Sequence, residues 1–253
     1  PIPTALLSTH TGGFTGMHFR DLEGDIKSIG EHLDSIGVDF DAIYTGFLGS
    51  AAQVRTIEDF IDRFSKKRDT LIFVDPVMGD DGELYSTCLP ALVSEMRRLI
   101  SRADVITPNL TEACLLAGVE YRATADMSVA EAVSLASLLM DELKKYTDAE
   151  CVITGIVTPQ GVGTYTSCGF HVERTRGRGY PGTGDLFASV MLGKLLGAGV
   201  CNRESVCAAA EFASAYTADV IEFSERYGAD EPMRDGVLLE GCLDRLFGEV
   251  KND

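Results

Sequence analysis

The sequence predicts an α/β protein in three layers, a mostly parallel central sheet with helices on both faces. Three observations lead there. Short apolar, β-rich runs alternate with stretches of helical period, polar residues collect where those runs end, and the rhythm changes only after residue 162. Strands that alternate with helices pair in parallel through right-handed crossovers.

The runs are "PTALLST" (3–9), "DAIYTG" (41–46), "TLIFVD" (70–75), "ADVITP" (103–108) and "ECVITG" (150–155). Between the first two, Leu22, Ile26, Ile29, Leu33 and Ile36 recur at spacings of three and four, one face of a helix. Val54, Ile57, Ile61 and Phe64 repeat that pattern. "SVAEAVSLASLLMDELKKY" opens on Ser128 with Glu131 three residues on, a capping-box signature. After 162, "VGTYTS" and "FHVERTR" read as a β-hairpin around Cys168 and Gly169, followed by helical stretches near 184–198, 203–223 and 234–248. No linker, repeat or low-complexity stretch interrupts the chain, so a single domain over residues 1–253 is expected.

Composition narrows the function classes. The net charge of −17, from 22 basic against 39 acidic residues, argues against nucleic acid or an anionic membrane surface as partner. An anionic small substrate stays compatible, because exposed charges are screened beyond about 8 Å at physiological salt. No apolar run reaches the roughly 18 residues of a membrane span, and no signal-peptide pattern opens the chain. Seven cysteines without a C-x-x-C pair are expected as reduced, mostly buried thiols of a cytoplasmic protein. The four histidines lack metal-ligand spacing.

In open parallel sheets ligands bind beyond the carboxyl ends of the strands. Four runs end in polar groups: Ser8-Thr9-His10-Thr11, Asp75, Thr107-Pro108-Asn109 with Glu112, and Thr154-Gly155. Each alone has a bland explanation, such as a turn at Asp75, a helix cap at Asn109 or an exposed first-turn acid at Glu112. Their falling on one edge is harder to explain away. At "GYPGTGDLFASVMLG" (179–193), Gly182, Thr183 and Gly184 precede an apolar helical run, so unpaired amide N–H groups there form an anion site suited to a phosphoryl group. Asp185 would repel phosphate, yet makes sense as the acceptor of a proton from an incoming hydroxyl. In phosphoryl transfer, positioning and charge neutralisation by amides and Mg²⁺ supply most of the rate. Asp80 and Glu112 are candidate carboxylates near that metal, through water. "GRGYPG" (177–182) formally matches G-x-G-x-x-G, but Glu204 lies among helices, not at a strand end, so a Rossmann site is not expected. No P-loop motif occurs. Arg174, Arg176 and Arg178 read as solvated edge charges, with a phosphate contact as the minority reading.

Laid in order, "LSTHTGG", "YTGFLGS", "VDPVMGDDGELY", "ITPNLTEACLLAG" and "GTGDLFASVMLGKLLGAG" resemble the ribokinase-like superfamily and, within it, the pyridoxal/pyridoxamine kinases. The related hydroxymethylpyrimidine kinases typically carry a cysteine where Asp185 stands. The resemblance implies ATP-dependent phosphorylation of the 5′-hydroxymethyl group of a B6 vitamer, with Asp185 as base and Gly182, Thr183 and Gly184 as anion hole. It implies that Asp75, Thr107, Asn109, Glu112 and Thr154 line the ATP–metal side, and that His10, Thr11 and Gly12 contact the pyridine ring. Phe47 would keep the aromatic face that a tyrosine gives some relatives. A homodimer and a monovalent cation beside Mg²⁺ belong to the same expectation. The family's first strand and its serine-bearing loop have no counterpart in "PIPTALLSTHTGG", and we expect them to precede this stretch in the protein. The alternatives are a kinase of another hydroxymethyl heterocycle, such as hydroxymethylpyrimidine, or of a sugar, and a non-catalytic vitamer or nucleotide sensor.

Overall fold

The computed structural model describes residues 1–10, 14–65, 69–174, 179–228 and 235–247. Its centre is a parallel sheet of β3 (Ala42–Thr45), β4 (Leu71–Val74), β7 (Val105–Ile106) and β8 (Glu150–Cys151), hydrogen-bonded in that order. The last strand continues past Val152 as β9 (Ile153–Thr158), with Val152 N–H donating to Ile106 and Thr154 N–H to Pro108. β9 then pairs antiparallel with β10 (Gly161–Thr166), and β10 with β11 (Gly169–Glu173), the hairpin expected around Cys168.

Alternation along the strands assigns the layers. Ile43, Ile72, Val74, Ile106, Cys151 and Ile153 point into one core, and Phe73, Val105 and Val152 into the other. The first core is covered by α1 (Glu23–Ser35), α2 (Ala51–Phe64), α3 (Pro90–Ile100), α4 (Leu110–Ala117) and α5 (Val129–Leu143). The second is covered by α6 (Thr183–Ala198) and α7 (Arg203–Tyr227). Strands buried on both faces read as unbroken apolar runs, which is why the sequence marks them clearly. Val54, Ile57, Ile61 and Phe64 are all buried, as their spacing predicts, and the Ser128–Glu131 capping box forms.

The N-terminal run departs from expectation. β1 (Ala5–Leu7) pairs antiparallel with β2 (Phe19–Asp21) and stays outside the parallel sheet. Leu6 is 58% exposed, whereas a central parallel strand would bury it. Strand propensity says nothing about the partner, and here a local one lies a short loop away. The hairpin is moored by the fully buried Gln53 of α2, whose Nε2 donates to the Thr4 carbonyl (2.6 Å) and to Asp21 Oδ1 (2.7 Å). Past α7 the 3₁₀ turn Leu239–Cys242 and the short α8 (Asp244–Phe247) are formed, in place of the long third helix expected near 234–248. Nor are all the thiols reduced. Cys168 and Cys207 form a disulfide, because the hairpin turn meets the second turn of α7, a juxtaposition that spacing in sequence does not reveal. Cys88, Cys114, Cys151 and Cys242 are free and buried as expected. No helix among the described residues is long and apolar enough to cross a membrane.

Candidate active site

The carboxyl ends of β3, β4 and β7 set Thr45, Asp75 and Thr107 side by side. The backbone fixes the row: Asp75 N–H donates to the Thr45 carbonyl (2.9 Å) and Thr107 N–H to that of Val74 (3.1 Å). All three side chains are buried, and the hydroxyls of Thr45 and Thr107 lack a hydrogen-bond partner. Beyond them Asn109 forms a parallel bridge to Thr154 on the adjacent strand β9.

Glu112 is not an exposed first-turn acid. It is 3% exposed and forms a capping box with Asn109 at the start of α4. Its Oε2 accepts from Asn109 N–H (2.9 Å), while Oε1 accepts from Met78 N–H (3.0 Å). Asn109 Nδ2 donates to the Gly79 carbonyl (2.9 Å). The pair therefore fastens the loop after Asp75 to the head of α4. That loop leads into the short hairpin of β5 (Gly79–Asp80) and β6 (Glu83–Leu84), which sets Tyr85 against Met78 through a 2.9 Å backbone bond.

Across from this row α6 begins. Gly182 caps it at φ +83°, a left-handed conformation that glycine adopts without strain. Leu186 N–H is the first to find a helical acceptor, the Gly182 carbonyl, so the amides of Thr183, Gly184 and Asp185 have none within the helix. Space at Gly182 and Gly184 is open, since a Cβ there would meet nothing within 4 Å. The Asp185 carboxyl turns toward the strand ends. Its Oδ1 stands 3.9 Å, and Tyr44 Oη 3.5 Å, from where a Cβ on Gly46 would lie.

Electrostatics ties these groups together. Burial, then the charge of Asp185, pushes Asp75 up to about 8, with partial relief from the Thr107 and Tyr44 hydroxyls. Thr107 eases that charge from beyond standard hydrogen-bond geometry. Burial also raises Glu112 well above the usual carboxylate range, with Asp75 adding to it and three backbone N–H groups opposing. Asp185 remains solvent-accessible, yet the protein packed around its carboxyl raises it too. Repulsion between Asp75 and Asp185 is mutual, and it falls mainly on Asp75, the more deeply enclosed of the two. Tyr44 and Tyr85 are driven upward by burial and then by nearby carboxylates: Asp75, Asp185 and Glu112 at Tyr44, and these three with Asp80 at Tyr85.

Asp75, Thr107, Asn109, Glu112, Thr154 and the start of α6 are thus gathered at one end of the sheet, with Asp80 beside them on β5. Phe47 packs edge-on against Phe19 (6.5 Å between centroids), and its carbonyl accepts from Thr4. His10 lies edge-on to Phe14 at 4.9 Å. Thr11, Gly12, Arg176 and Arg178 lie outside the described residues. Tyr85, the Tyr44 hydroxyl and the Met78 amide are absent from the sequence-based assignment. Nothing in "GELY" announces that the hairpin folds its tyrosine back among four acids.

The donor set suits a hard cation. Asp75 and Glu112 are buried carboxylates with neutral partners only, and a divalent ion beside them would relieve the strain that raises both. Among the described residues no group of three ligands forms a protein-only metal cage. Mg²⁺ is instead usually held by one or two carboxylates, water and substrate phosphates.

This architecture, a parallel sheet flanked by helices with the start of α6 facing acids at the strand ends, is a ribokinase-like α/β fold. A family model described as phosphomethylpyrimidine kinase matches residues 2–231, and the chain belongs to that family. A curated relative, the pyridoxal kinase PdxY of Vibrio vulnificus, is 31% identical over 209 residues, 78% of this chain and 69% of its own length. The chain spans 58% of the length of another curated relative, from Schizosaccharomyces pombe. Among solved structures, the pyridoxal kinase of Lactobacillus plantarum superposes with a TM-score of 0.78 at 30% identity, covering 97% of this chain and 84% of that one. The pyridoxal kinase of Leishmania donovani in complex with ADP and pyridoxamine gives 0.74 at 27%, with the same coverage.

Proposed function

We propose that the protein transfers the γ-phosphoryl group of ATP to the 5′-hydroxymethyl group of a B6 vitamer: pyridoxal, pyridoxamine or pyridoxine. One observation carries the reading: the Asp185 carboxyl stands beside amides that have no acceptor within α6 and opposite buried acids. A carboxylate there is costly for phosphate binding alone, and useful when a hydroxyl must lose its proton. In this reading the vitamer hydroxyl donates to Asp185 and its oxygen attacks the γ-phosphorus. The bond to the bridging oxygen breaks and leaves ADP. Amides at the start of α6, after Gly182, donate to the phosphoryl oxygens, which is where most of the stabilisation lies. Asp185, open to solvent, then releases the proton to water. Asp75, Thr107, Asn109, Glu112 and Thr154 line the nucleotide side, and His10, Thr11, Gly12 and Phe47 the vitamer side.

Mg²⁺ would neutralise the charge growing on the phosphates, held through water by Asp80 and Glu112. Both Glu112 oxygens already accept backbone N–H groups, which favours a water-mediated role. A monovalent cation, a homodimer and a cytoplasmic location complete the proposal and rest on the family resemblance. The description of the matching family favours one second reading, phosphorylation of hydroxymethylpyrimidine. Steady-state ADP release with Mg-ATP and each of pyridoxal, pyridoxamine, pyridoxine, hydroxymethylpyrimidine and ribose separates the two. Turnover with the pyrimidine alone rejects the vitamer assignment. Tight vitamer binding by calorimetry without ADP release shows a sensor instead.

A further inference from the structure

At the opposite end of the sheet from the strand tips, we propose that Cys168 and Cys207 form a reversible thiol-modification site that reacts with low-molecular-weight disulfides such as oxidised glutathione. Cys168 sits in the two-residue turn between β10 and β11, and Cys207 in the second turn of α7, with Cα atoms 6.2 Å apart. That separation lies within the range a disulfide spans without backbone movement. The turn is held in place independently of the sulfurs. Ser167 Oγ donates to Glu150 Oε2 (3.1 Å), and Arg203 at the start of α7 donates to the Ser167 carbonyl. The two thiols therefore face each other whether or not they are joined.

Exposure sets the order of events. Cys168 is exposed and Cys207 is 5% exposed. Oxidation begins with the Cys168 thiolate attacking one sulfur of the small disulfide, giving a mixed disulfide on Cys168 and one reduced small thiol. Cys207, as thiolate, then attacks the Cys168 sulfur and expels the second. Two protein thiols lose two electrons and two protons, and one small disulfide becomes two thiols. Reduction retraces the path, with the small thiolate attacking at exposed Cys168. The other cysteines are poor competitors. Cys88, Cys114, Cys151 and Cys242 are buried, and burial raises their thiols. Cys201 is exposed, but burial around its sulfur and the charges of Asp104 and Glu150 raise its thiol and so disfavour the reactive thiolate.

The bond spans 39 residues of sequence, and the loop it closes contains the whole of α6, with Gly182 and Asp185. Joining its ends restricts the unfolded chain of that loop, so the oxidised form resists unfolding and α6 opens less often. The latch concerns folding of this segment and does not depend on which substrate the other end takes.

The full chain is equilibrated with graded mixtures of reduced and oxidised glutathione, quenched by alkylation and mapped by mass spectrometry, with melting followed in parallel. We expect a Cys168–Cys207 linked peptide that grows with oxidised glutathione and disappears with excess reduced glutathione. The melting temperature should rise on the order of 10 °C with the link. Cys168→Ser, at an exposed position where the core is untouched, abolishes both effects, and Cys201→Ser leaves both. The proposal is overturned by absence of the linked peptide at every ratio, by a link through Cys201, by a bond that survives excess reduced glutathione, or by a melting temperature indifferent to the link.

Discussion

The Tyr44 hydroxyl reaches to 3.5 Å from Oδ2 of Asp75, joining two groups that both hold their protons unusually tightly. Tyr44 leaves the second core, where its ring lies edge-on to Phe73 at 5.7 Å, and delivers its hydroxyl to the acids at the strand ends. A phenol whose ionisation is opposed by burial and nearby acids is a dependable donor to a carboxyl that sits, at 7% exposure, beside a second acid. The site is thus built to hold excess negative charge that only a cation or a proton can offset.

Asp75 should make the protein less stable as pH rises. Its native pKa of about 8 lies above the ordinary value of 3.8, so the folded chain retains a proton that the unfolded chain releases. Between pH 4 and 8 the native state therefore binds more protons, and stability falls with increasing pH, by at most about 1.4 kcal/mol per unit. Asp75→Asn removes that dependence while keeping an oxygen acceptor for Tyr44. Melting temperatures measured from pH 5 to 9 without divalent ions should converge at low pH and favour the variant above 8. A constant gap across the range would refute the assignment.

Glu112→Gln should destabilise through a named pair of bonds. The amide offers one oxygen where the carboxylate offers two, so either Met78 N–H or Asn109 N–H meets an NH₂ group in a site that is 3% exposed. An unpaired buried donor costs about 1–3 kcal/mol, and a protein of this size loses about 2–4 °C per kcal/mol. A drop of roughly 5 °C is expected, with faster hydrogen exchange at Met78. Unchanged melting and exchange would show that the tether to α4 carries no energy.

Much of this was legible in the chain. Buried parallel strands announce themselves as apolar runs, and "VD", "TPN" and "TG" at their ends locate the polar edge. The capping boxes at Ser128 and Asn109 were open to the same reading. Partner choice was not: the run 3–9 has strand character whichever strand it joins, and only the seat of Gln53 under Thr4 and Asp21 shows why it stays outside the sheet. Long-range convergence was hidden for a similar reason. Tyr85 reaches the acids through the turn between β5 and β6, and Cys207 meets Cys168 through two separate layers, neither of which leaves a periodic signal.

Gly182→Ala isolates the role of the α6 start. Nothing lies within 4 Å of the added Cβ, so the substitution brings no clash, only the strain of a left-handed φ of +83°. That strain costs about 1–2 kcal/mol and is relieved by rotating the first amides away from their common direction. If those amides receive the phosphoryl group, kcat falls by roughly tenfold, the change expected for about 1.4 kcal/mol of transition-state stabilisation. The circular dichroism spectrum should remain that of the parent. A variant with parental kcat rejects the anion hole.

Asp185→Asn tests the base itself. Asparagine fills the same space and keeps the helix start, but it cannot accept a proton from the hydroxyl. Loss of general-base help lowers kcat by on the order of 10²–10⁴, while ADP and vitamer still bind by calorimetry. The parent protein adds a second signature. Burial raises the Asp185 pKa, so the acid limb of kcat/KM should lie above the range of an ordinary carboxylate, with activity lost as pH falls through it and the base becomes protonated. The residual rate of the variant should lack that limb. Because burial and the charge of Asp185 also raise Asp75, to about 8, the profiles are compared at saturating Mg²⁺, where a nearby divalent ion would favour its charged form. Near-parental turnover in Asp185→Asn, or an acid limb that survives the substitution unchanged, assigns the proton to another group and leaves Asp185 a neighbour of the phosphoryl site.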